Sequence, residues 1–143
     1  MILCDANLLL YAYNVDSAHH TKAKEWLEKK LSGPALFCLS WQTITAFIRI
    51  STNHRAFPQP LSIEEVIKIV SSWLARPQCR VLTETDEHWK IFAELLAKEK
   101  AVGPLVMDAH LAALAIEHGA TLATTDRDFA RFTALKTINP LES

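Results

Sequence analysis

The sequence lacks an excess of either charge. Its 15 lysines and arginines are balanced by 16 aspartates and glutamates, which leaves a formal net charge of -1. This balance excludes a protein that binds nucleic acid mainly through bulk positive charge, but not one with a local basic rim around an acidic site. No apolar run approaches the ~20 residues that a membrane-spanning helix needs, so no membrane association is expected.

Cysteine is also scarce. The three cysteines, Cys4, Cys38 and Cys79, are widely spaced, and they form neither a C-x-x-C pair nor a cluster with zinc-ligand spacing. Cys4 and Cys38 lie in apolar runs, which favours buried, reduced thiols and a cytoplasmic location. The N-terminal residues include an acid at position 5 and no basic leader, so they are not expected to act as a signal peptide.

The sequence is rich in short apolar segments that alternate with amphipathic ones. Half of the 143 residues are hydrophobic, which suits a single domain over residues 1–143. We predict strands at 1–4, 35–40, 79–84 and 121–124, and an edge strand near 136–138. We predict helices at 6–13, 17–31, 41–53, 62–75, 87–100 and 104–119, and a short helix near 129–132.

This alternation predicts the fold class. Short strands that are apolar throughout and separated by helices are typical of a parallel sheet covered on both faces. The expected architecture is therefore α/β, a three-layer α/β/α sandwich with a parallel sheet of four or five strands.

Polar residues and glycines are predicted to set the helix ends. Ser62, with Glu65 three residues later, forms a capping-box pattern. Ser17 and Asp86 precede two other helices and are interpreted as their N-caps. The helix that Ser17 caps is predicted to end at Gly33, and helix 104–119 at Gly119.

Acidic residues stand at the carboxyl ends of two predicted strands. Asp5 follows strand 1–4, and Asp126 and Asp128 follow strand 121–124. Asp108 lies in the first turns of the helix that leads into strand 121–124. Because the chain must run down the sheet through this helix before the strand runs up, the helix starts at the same edge as the other acids. Ligands of open parallel sheets bind beyond the carboxyl ends of the strands. The sequence therefore predicts one acidic pocket, formed by Asp5, Asp108, Asp126 and Asp128.

Such a pocket indicates a divalent cation. Carboxylates that lie close together repel one another unless their pKa values rise or a cation neutralises them. Oxygen ligands without histidine or cysteine suit Mg²⁺, with Mn²⁺ as a substitute. The chemistry that fits this ion is hydrolysis of a phosphodiester by a metal-activated water.

Each acid also has a purely structural interpretation, which the sequence leaves open. Asp5 is placed to cap the following helix, Asp108 to complement a helix dipole, and the other two acids to form a turn. Arg49 and Arg127 are candidate phosphate contacts, with solvated surface as the alternative. The six histidines are scattered without a ligand pair at helical or strand spacing, so no catalytic role is predicted for them.

Two segments, CDANLLLYAY and DAHLAALAIEHGATLATTDRDF, together with the spacing between them, resemble a PIN-domain ribonuclease. The resemblance covers essentially the whole chain and is greatest to the VapC toxins of VapBC toxin–antitoxin pairs. It implies a parallel sheet of strand order 3-2-1-4-5 and a Mg²⁺-dependent endoribonuclease that cleaves structured RNA such as tRNA or ribosomal RNA. It also implies a cognate VapB-type antitoxin that blocks the site, and a homodimer.

The resemblance assigns roles to individual residues. Asp5, Asp108 and Asp126 match the metal-binding acids of the family, and Asp128 matches a common further acid. Asn7 and Thr124 match positions that hold the acids and the attacking water in place.

One position departs from the pattern of the family. Many members carry a glutamate on the helix after the second strand, where this sequence has Ala46. The departure leaves the number of metal ions open. It also leaves open an alternative function, in which the chain is a PIN-like module that binds RNA or protein but has lost catalysis. Phosphotransfer of the haloacid-phosphatase type is disfavoured, because Asp5-Ala6-Asn7 lacks the second acid of an Asp-x-Asp motif.

Overall fold

The computed structural model describes residues 1–142, and strands alternate with helices along them. The five strands are β1 (Ile2–Cys4), β2 (Phe37–Leu39), β3 (Cys79–Val81), β4 (Thr121–Ala123) and β5 (Thr137–Ile138). The helices are α1 (Ala6–Tyr13), α2 (His20–Ser32), α3 (Trp41–Ser51), α4 (Ile63–Leu74), α5 (His88–Glu99), α6 (Pro104–His118) and a short 3-10 helix, η1 (Arg127–Arg131). None of these helices combines the length and apolar character of a membrane span.

The strands form one parallel sheet in the order β3-β2-β1-β4-β5. The predicted α/β class, the parallel sheet and the strand order implied by the resemblance are all confirmed. β1 lies at the centre, where Ile2 pairs with Phe37 on one side and with Thr121 on the other. The carboxyl ends of β1 and β4 are therefore neighbours, as the acidic pocket requires.

The core divides into two layers because successive strand residues point to opposite faces of the sheet. Cys4 and Ala123 pack with the apolar sides of α1 to α4, around the fully buried Phe47 and Trp73. Their neighbours Leu3 and Leu122 belong to the second cluster, which α5, α6 and the residues around η1 complete. Helices thus cover both faces, and the sandwich has the three expected layers.

The predicted ends of several elements are confirmed. Ser62 and Glu65 form the predicted capping box at the start of α4, with the Ser62 hydroxyl accepting from the Glu65 amide at 3.1 Å. Gly33 is the C-cap of α2, and Gly119 ends α6 in the left-handed conformation, with φ of 67°, that glycine adopts without strain.

Two predicted caps are wrong. Ser17 lies before α2, where its hydroxyl accepts from the His19 amide at 3.1 Å in a turn, and α2 begins three residues later than predicted. Asp86 does not cap α5. The residues before α5 are fixed instead by Thr85, whose amide donates to Glu117 of α6 at 2.8 Å and whose hydroxyl accepts from the Glu87 amide at 3.2 Å.

Candidate active site

Asp5 stands where the chain passes from β1 into α1. Its amide donates to the carbonyl of Ala123 at 2.9 Å, which extends the pairing of β1 and β4 by one residue. One carboxylate oxygen, Oδ1, accepts from the Ala6 amide at 2.8 Å and caps α1. The other, Oδ2, accepts from the hydroxyl of Thr124 at 2.7 Å. Asp5 therefore has the capping role that its position suggests, and it also reaches the neighbouring strand.

Thr124 and Asp126 continue this network beyond β4. The buried Thr124 hydroxyl, which donates to Asp5, also accepts from the Asp126 amide at 3.0 Å. Asp126 in turn caps η1, because its Oδ1 accepts from the Asp128 amide at 2.9 Å. These hydrogen bonds fix the backbone after β4 so that both acids lie at the carboxyl edge of the sheet.

Asp108 comes to the same edge from α6, which begins at Pro104 after its N-cap Gly103. Asp108, Asp126 and Asp128 each offer one carboxylate oxygen, and these three atoms lie within 4.8 Å of one another. This set of oxygens does not include one from Asp5, which lies beside it and is joined to it through Thr124. The structure thus brings the four predicted acids to one edge, with three of them sharing a space of the size that one cation needs.

The charges within the acidic pocket repel one another. Burial raises the pKa of Asp108 to about 6, and the negative charges of Asp126, Asp5 and Asp128 act in the same direction, against a weaker opposing effect of Arg131. Burial also raises the pKa of Asp5, with a small contribution from Asp126, while hydrogen bonds from Thr124 and Ala6 oppose the shift. A cation bound among these groups would relieve the repulsion.

Arg127 and Asn7, two further predicted site residues, differ in exposure. Arg127 is exposed and lines a cavity of about 400 Å³ together with Thr124, Asp126 and Asn139. Asn7 lies half-buried in the first turn of α1, two residues after Asp5.

A groove of about 450 Å³ lies between α3 and α6. It is lined by Trp41, Gln42, Thr45, Ala46, Arg49 and Met107. Met107 is the residue before Asp108 on α6, so the groove borders the same turn of this helix. Ala46, the position where many family members carry a glutamate, is one of the residues that line this groove.

Comparisons with known proteins identify the family. The family model for the PIN domain matches residues 2–135. The chain is 41% identical to ribonuclease VapC37 of Mycobacterium tuberculosis over 140 residues, which is 98% of this chain and 97% of that protein. It is 36% identical to ribonuclease VapC33 of the same species over 99% of both chains. The chain belongs to the PIN-domain family, among the VapC ribonucleases.

Solved structures of VapC proteins share the fold of this PIN domain. VapBC2 from Rickettsia felis, solved bound to a DNA fragment from its promoter, superposes with a TM-score of 0.69 at 21% identity, over 97% of this chain and 98% of that chain. VapC20 of Mycobacterium tuberculosis, described as a sarcin–ricin loop cleaving toxin, gives 0.65 at 18% identity, over 92% and 95%. The resemblance noted in the sequence is confirmed.

One group of residues in this PIN domain was missed by the sequence reasoning. The rings of His88 and His110 lie 4.8 Å apart between centroids, and Glu84 lies beside them. Two of the histidines that are scattered along the sequence therefore meet in the folded chain. They are 22 positions apart, so no spacing pattern reveals them. What brings them together is the packing of α5 against α6, which places the start of α5 beside the middle of α6. Predicting the pair would have required predicting this contact.

Proposed function

We propose that this PIN domain is a Mg²⁺-dependent endoribonuclease that acts as the toxin of a type II toxin–antitoxin pair. The observation that carries the proposal is the convergence of Asp108, Asp126 and Asp128, with Asp5 beside them, at the carboxyl edge of the sheet. The proposed substrate is a structured RNA such as tRNA or ribosomal RNA. The family membership supports the reaction class, since the similar proteins VapC37 and VapC33 are named ribonucleases.

The donor set of the acidic pocket fits a hard cation. All of its ligand atoms are carboxylate oxygens, which suit Mg²⁺ or Mn²⁺ better than a metal that prefers nitrogen or sulfur. Asp108 and Asp126 are proposed ligands, and Asp128 shares their space. Asp5 is a proposed ligand as well, because each carboxylate oxygen has a second lone pair beyond the hydrogen bond it accepts.

Each remaining residue of the site has a proposed task. A bound Mg²⁺ would supply an activated water and stabilise the leaving oxygen of the phosphodiester. Thr124 holds Asp5 and Asp126 in their relative positions through its hydroxyl. Asn7 is proposed to help orient the attacking water. Arg127, beside the acids, and Arg49, in the groove next to Met107, are proposed to contact the phosphates that flank the cleaved bond.

The proposed partners follow from the same family. A VapB-type antitoxin is proposed to bind near the acidic pocket and block it, with support from the similar R. felis protein, which was solved as VapBC2. A homodimer is proposed as the assembly. The proposed compartment is the cytoplasm, since the three cysteines are free and buried.

Expression in a bacterial host tests the toxin proposal. Wild type is compared with Asp5→Asn and Asp126→Asn, and with Asp86→Asn as a matched control. Asp86 is an exposed acid that neither caps α5 nor belongs to the acidic pocket. We expect wild type and Asp86→Asn to arrest growth, and the two pocket variants to grow. Equal growth of all four strains contradicts a toxin.

Cleavage by purified protein separates the nuclease from the alternative, a module that has lost catalysis. Total bacterial RNA is incubated with wild type in Mg²⁺, in Mn²⁺ and with a chelator, and the new RNA ends are sequenced. We expect discrete cuts that need the divalent ion and disappear in Asp126→Asn. Folded wild type that leaves RNA intact in both metals would favour the inactive, binding-only alternative, for which Ala46 is the main sequence evidence.

A further inference from the structure

We propose a second metal site in this protein, formed by Glu84, His88 and His110, that takes Zn²⁺ or a similar transition-metal dication. We call these residues the histidine cluster. Each offers one ligand atom, and the three atoms lie within 4.8 Å of one another. His110 and the acidic pocket's Asp108 are two positions apart on α6, so their side chains leave the helix in different directions.

The hydrogen bonds around His88 leave one ring nitrogen free. Nδ1 lies 2.5 Å from Oε2 of Glu117, so Nδ1 carries the proton and donates to this carboxylate. The opposite nitrogen, Nε2, is buried and has no hydrogen-bond partner among the described residues. A buried nitrogen with a free lone pair is costly unless something binds it.

His110 is held through its Nδ1 in a similar way. Its Nδ1 lies 2.7 Å from Oε1 of Gln42. Gln42 is oriented by its own amide group, which donates to the carbonyl of Met107 at 3.1 Å, so Oε1 is the atom that accepts from His110. The inner nitrogen, Nε2, faces Oε1 of Glu84 at 3.3 Å.

Both imidazoles are therefore held through Nδ1 and direct Nε2 into the cluster, where Nε2 of His88 has no partner and Nε2 of His110 lies next to Glu84. This is the usual arrangement of metal-binding histidines, whose outer N–H donates to a carboxylate or carbonyl that fixes the ring. Protonation of His110 would explain its contact with Glu84, but it would leave Nε2 of His88 without a partner. A metal ion bound by Nε2 of both histidines and by Glu84 would satisfy all three groups.

The chemistry of the ligands selects the metal. Two imidazoles and one carboxylate suit Zn²⁺ and related ions, whereas Mg²⁺ prefers oxygen alone. Ligand atoms of a tetrahedral zinc site lie about 3.3 Å apart, whereas those of the cluster lie within 4.8 Å of one another. Binding would therefore draw the ligand atoms closer together by up to about 1.5 Å. The Glu84 side chain is 52% exposed, so solvent can supply a water as the fourth ligand.

The surrounding contacts make this a built site. Glu117 binds His88 with one oxygen and accepts from the Thr85 amide at 2.8 Å with the other. The carbonyl of Thr83 lies 2.7 Å from Nε2 of His118. The segment that carries Glu84 and His88 is thus held to α6 by hydrogen bonds from residues before and after Glu84.

Titration of the untagged protein with Zn²⁺ tests the proposal. The background is Asp126→Asn, which weakens metal binding at the acidic pocket, and calorimetry gives the stoichiometry. We expect one Zn²⁺ per folded chain, and visible absorption of the tetrahedral type when Co²⁺ replaces Zn²⁺. Absence of saturable binding by the folded protein overturns the proposal, whatever the outcome of the nuclease assays.

Variants then assign the binding to these residues. We expect Glu84→Gln and His110→Gln to abolish the Co²⁺ spectrum, and Glu117→Gln to weaken binding by about 10- to 100-fold without removing a ligand. His54→Gln changes an exposed histidine outside the cluster and should bind as the background does. Because the Glu84 side chain is exposed, Glu84→Gln should fold and test metal binding even if substitutions at the more buried His110 or Glu117 unfold the protein. Unchanged affinity in Glu84→Gln and His110→Gln overturns the proposal.

Discussion

Thr124 connects the two halves of the acidic pocket. Its hydroxyl donates to Asp5 at the end of β1 and accepts from the Asp126 amide after β4. The donated bond opposes the rise in the pKa of Asp5 that burial causes. Thr124 is thus a positioning residue, whose effect on the reaction passes through two acids.

Removing that hydroxyl should therefore weaken metal binding. In Thr124→Val the pKa of Asp5 rises further, and the concentration of Mg²⁺ needed for half-maximal cleavage should increase about 10- to 100-fold. Thr124→Ser keeps the hydroxyl and should stay close to wild type. Single-turnover cleavage measured over a range of Mg²⁺ concentrations checks this. If Thr124→Val lowers stability alone and leaves the Mg²⁺ dependence unchanged, the residue has only a structural role.

Asp108 should make the metal-free protein less stable as pH rises. Its carboxyl has a pKa of about 6 when folded and about 3.9 when unfolded. Between these values the folded state binds more protons, so the free energy of unfolding contributed by this group is highest below pH ~4 and is lost by pH ~6. We expect this loss in the melting temperature measured with a chelator present.

The matched comparison is Asp108→Asn, which has no proton to lose. The difference in melting temperature between Asp108→Asn and wild type should grow from pH 4 to pH 6, and Mg²⁺ should reduce it. Asp86→Asn serves as a control for a general change in charge. Parallel pH profiles of the melting temperature for wild type and Asp108→Asn would show that the pKa of Asp108 is not raised in the folded protein.

At the scale of single elements, the sequence predicted helix ends well where the signal is local. The Ser62–Glu65 capping box needs only residues three apart, and it formed as expected. The cap assigned to Ser17 failed because its hydroxyl accepts from the His19 amide in a turn before α2. The cap assigned to Asp86 failed because a contact from another helix fixes the residues before α5. Before α5, the deciding contact is with Glu117, a residue 32 positions from Thr85.

The capping box gives a stability prediction for α4. Ser62→Ala removes the acceptor for the Glu65 amide and should lower the free energy of unfolding by about 1 kcal/mol. Ser71→Ala is the matched control, because it makes the same substitution at an exposed position inside α4, where alanine favours the helix. Urea denaturation measures both. Equal effects of the two variants would contradict a capping role for Ser62.

At the scale of the whole molecule, strand order explains which parts of the site the sequence revealed. Acids that follow parallel strands meet at one edge, so Asp5, Asp126 and Asp128 could be placed together from the chain alone. Their detailed roles could not, since the side-chain hydrogen bonds of Asp5 depend on where Thr124 lies. The histidine cluster was also hidden, because it forms only when the segment before α5 packs against α6.

Metal binding at the acidic pocket should stabilise the whole domain, because an ion that binds only the folded state shifts the folding equilibrium. At a free Mn²⁺ or Mg²⁺ concentration about 100 times the dissociation constant, the gain is about 2.7 kcal/mol. For a chain of this length, that gain corresponds to a rise of roughly 5–10 °C in melting temperature. Thermal denaturation of wild type, Asp126→Asn and Glu84→Gln in each metal separates the sites. Mg²⁺ should stabilise wild type and Glu84→Gln but not Asp126→Asn, because the histidine cluster does not suit Mg²⁺. A Mg²⁺ response that persists in Asp126→Asn would place the ion outside the acidic pocket.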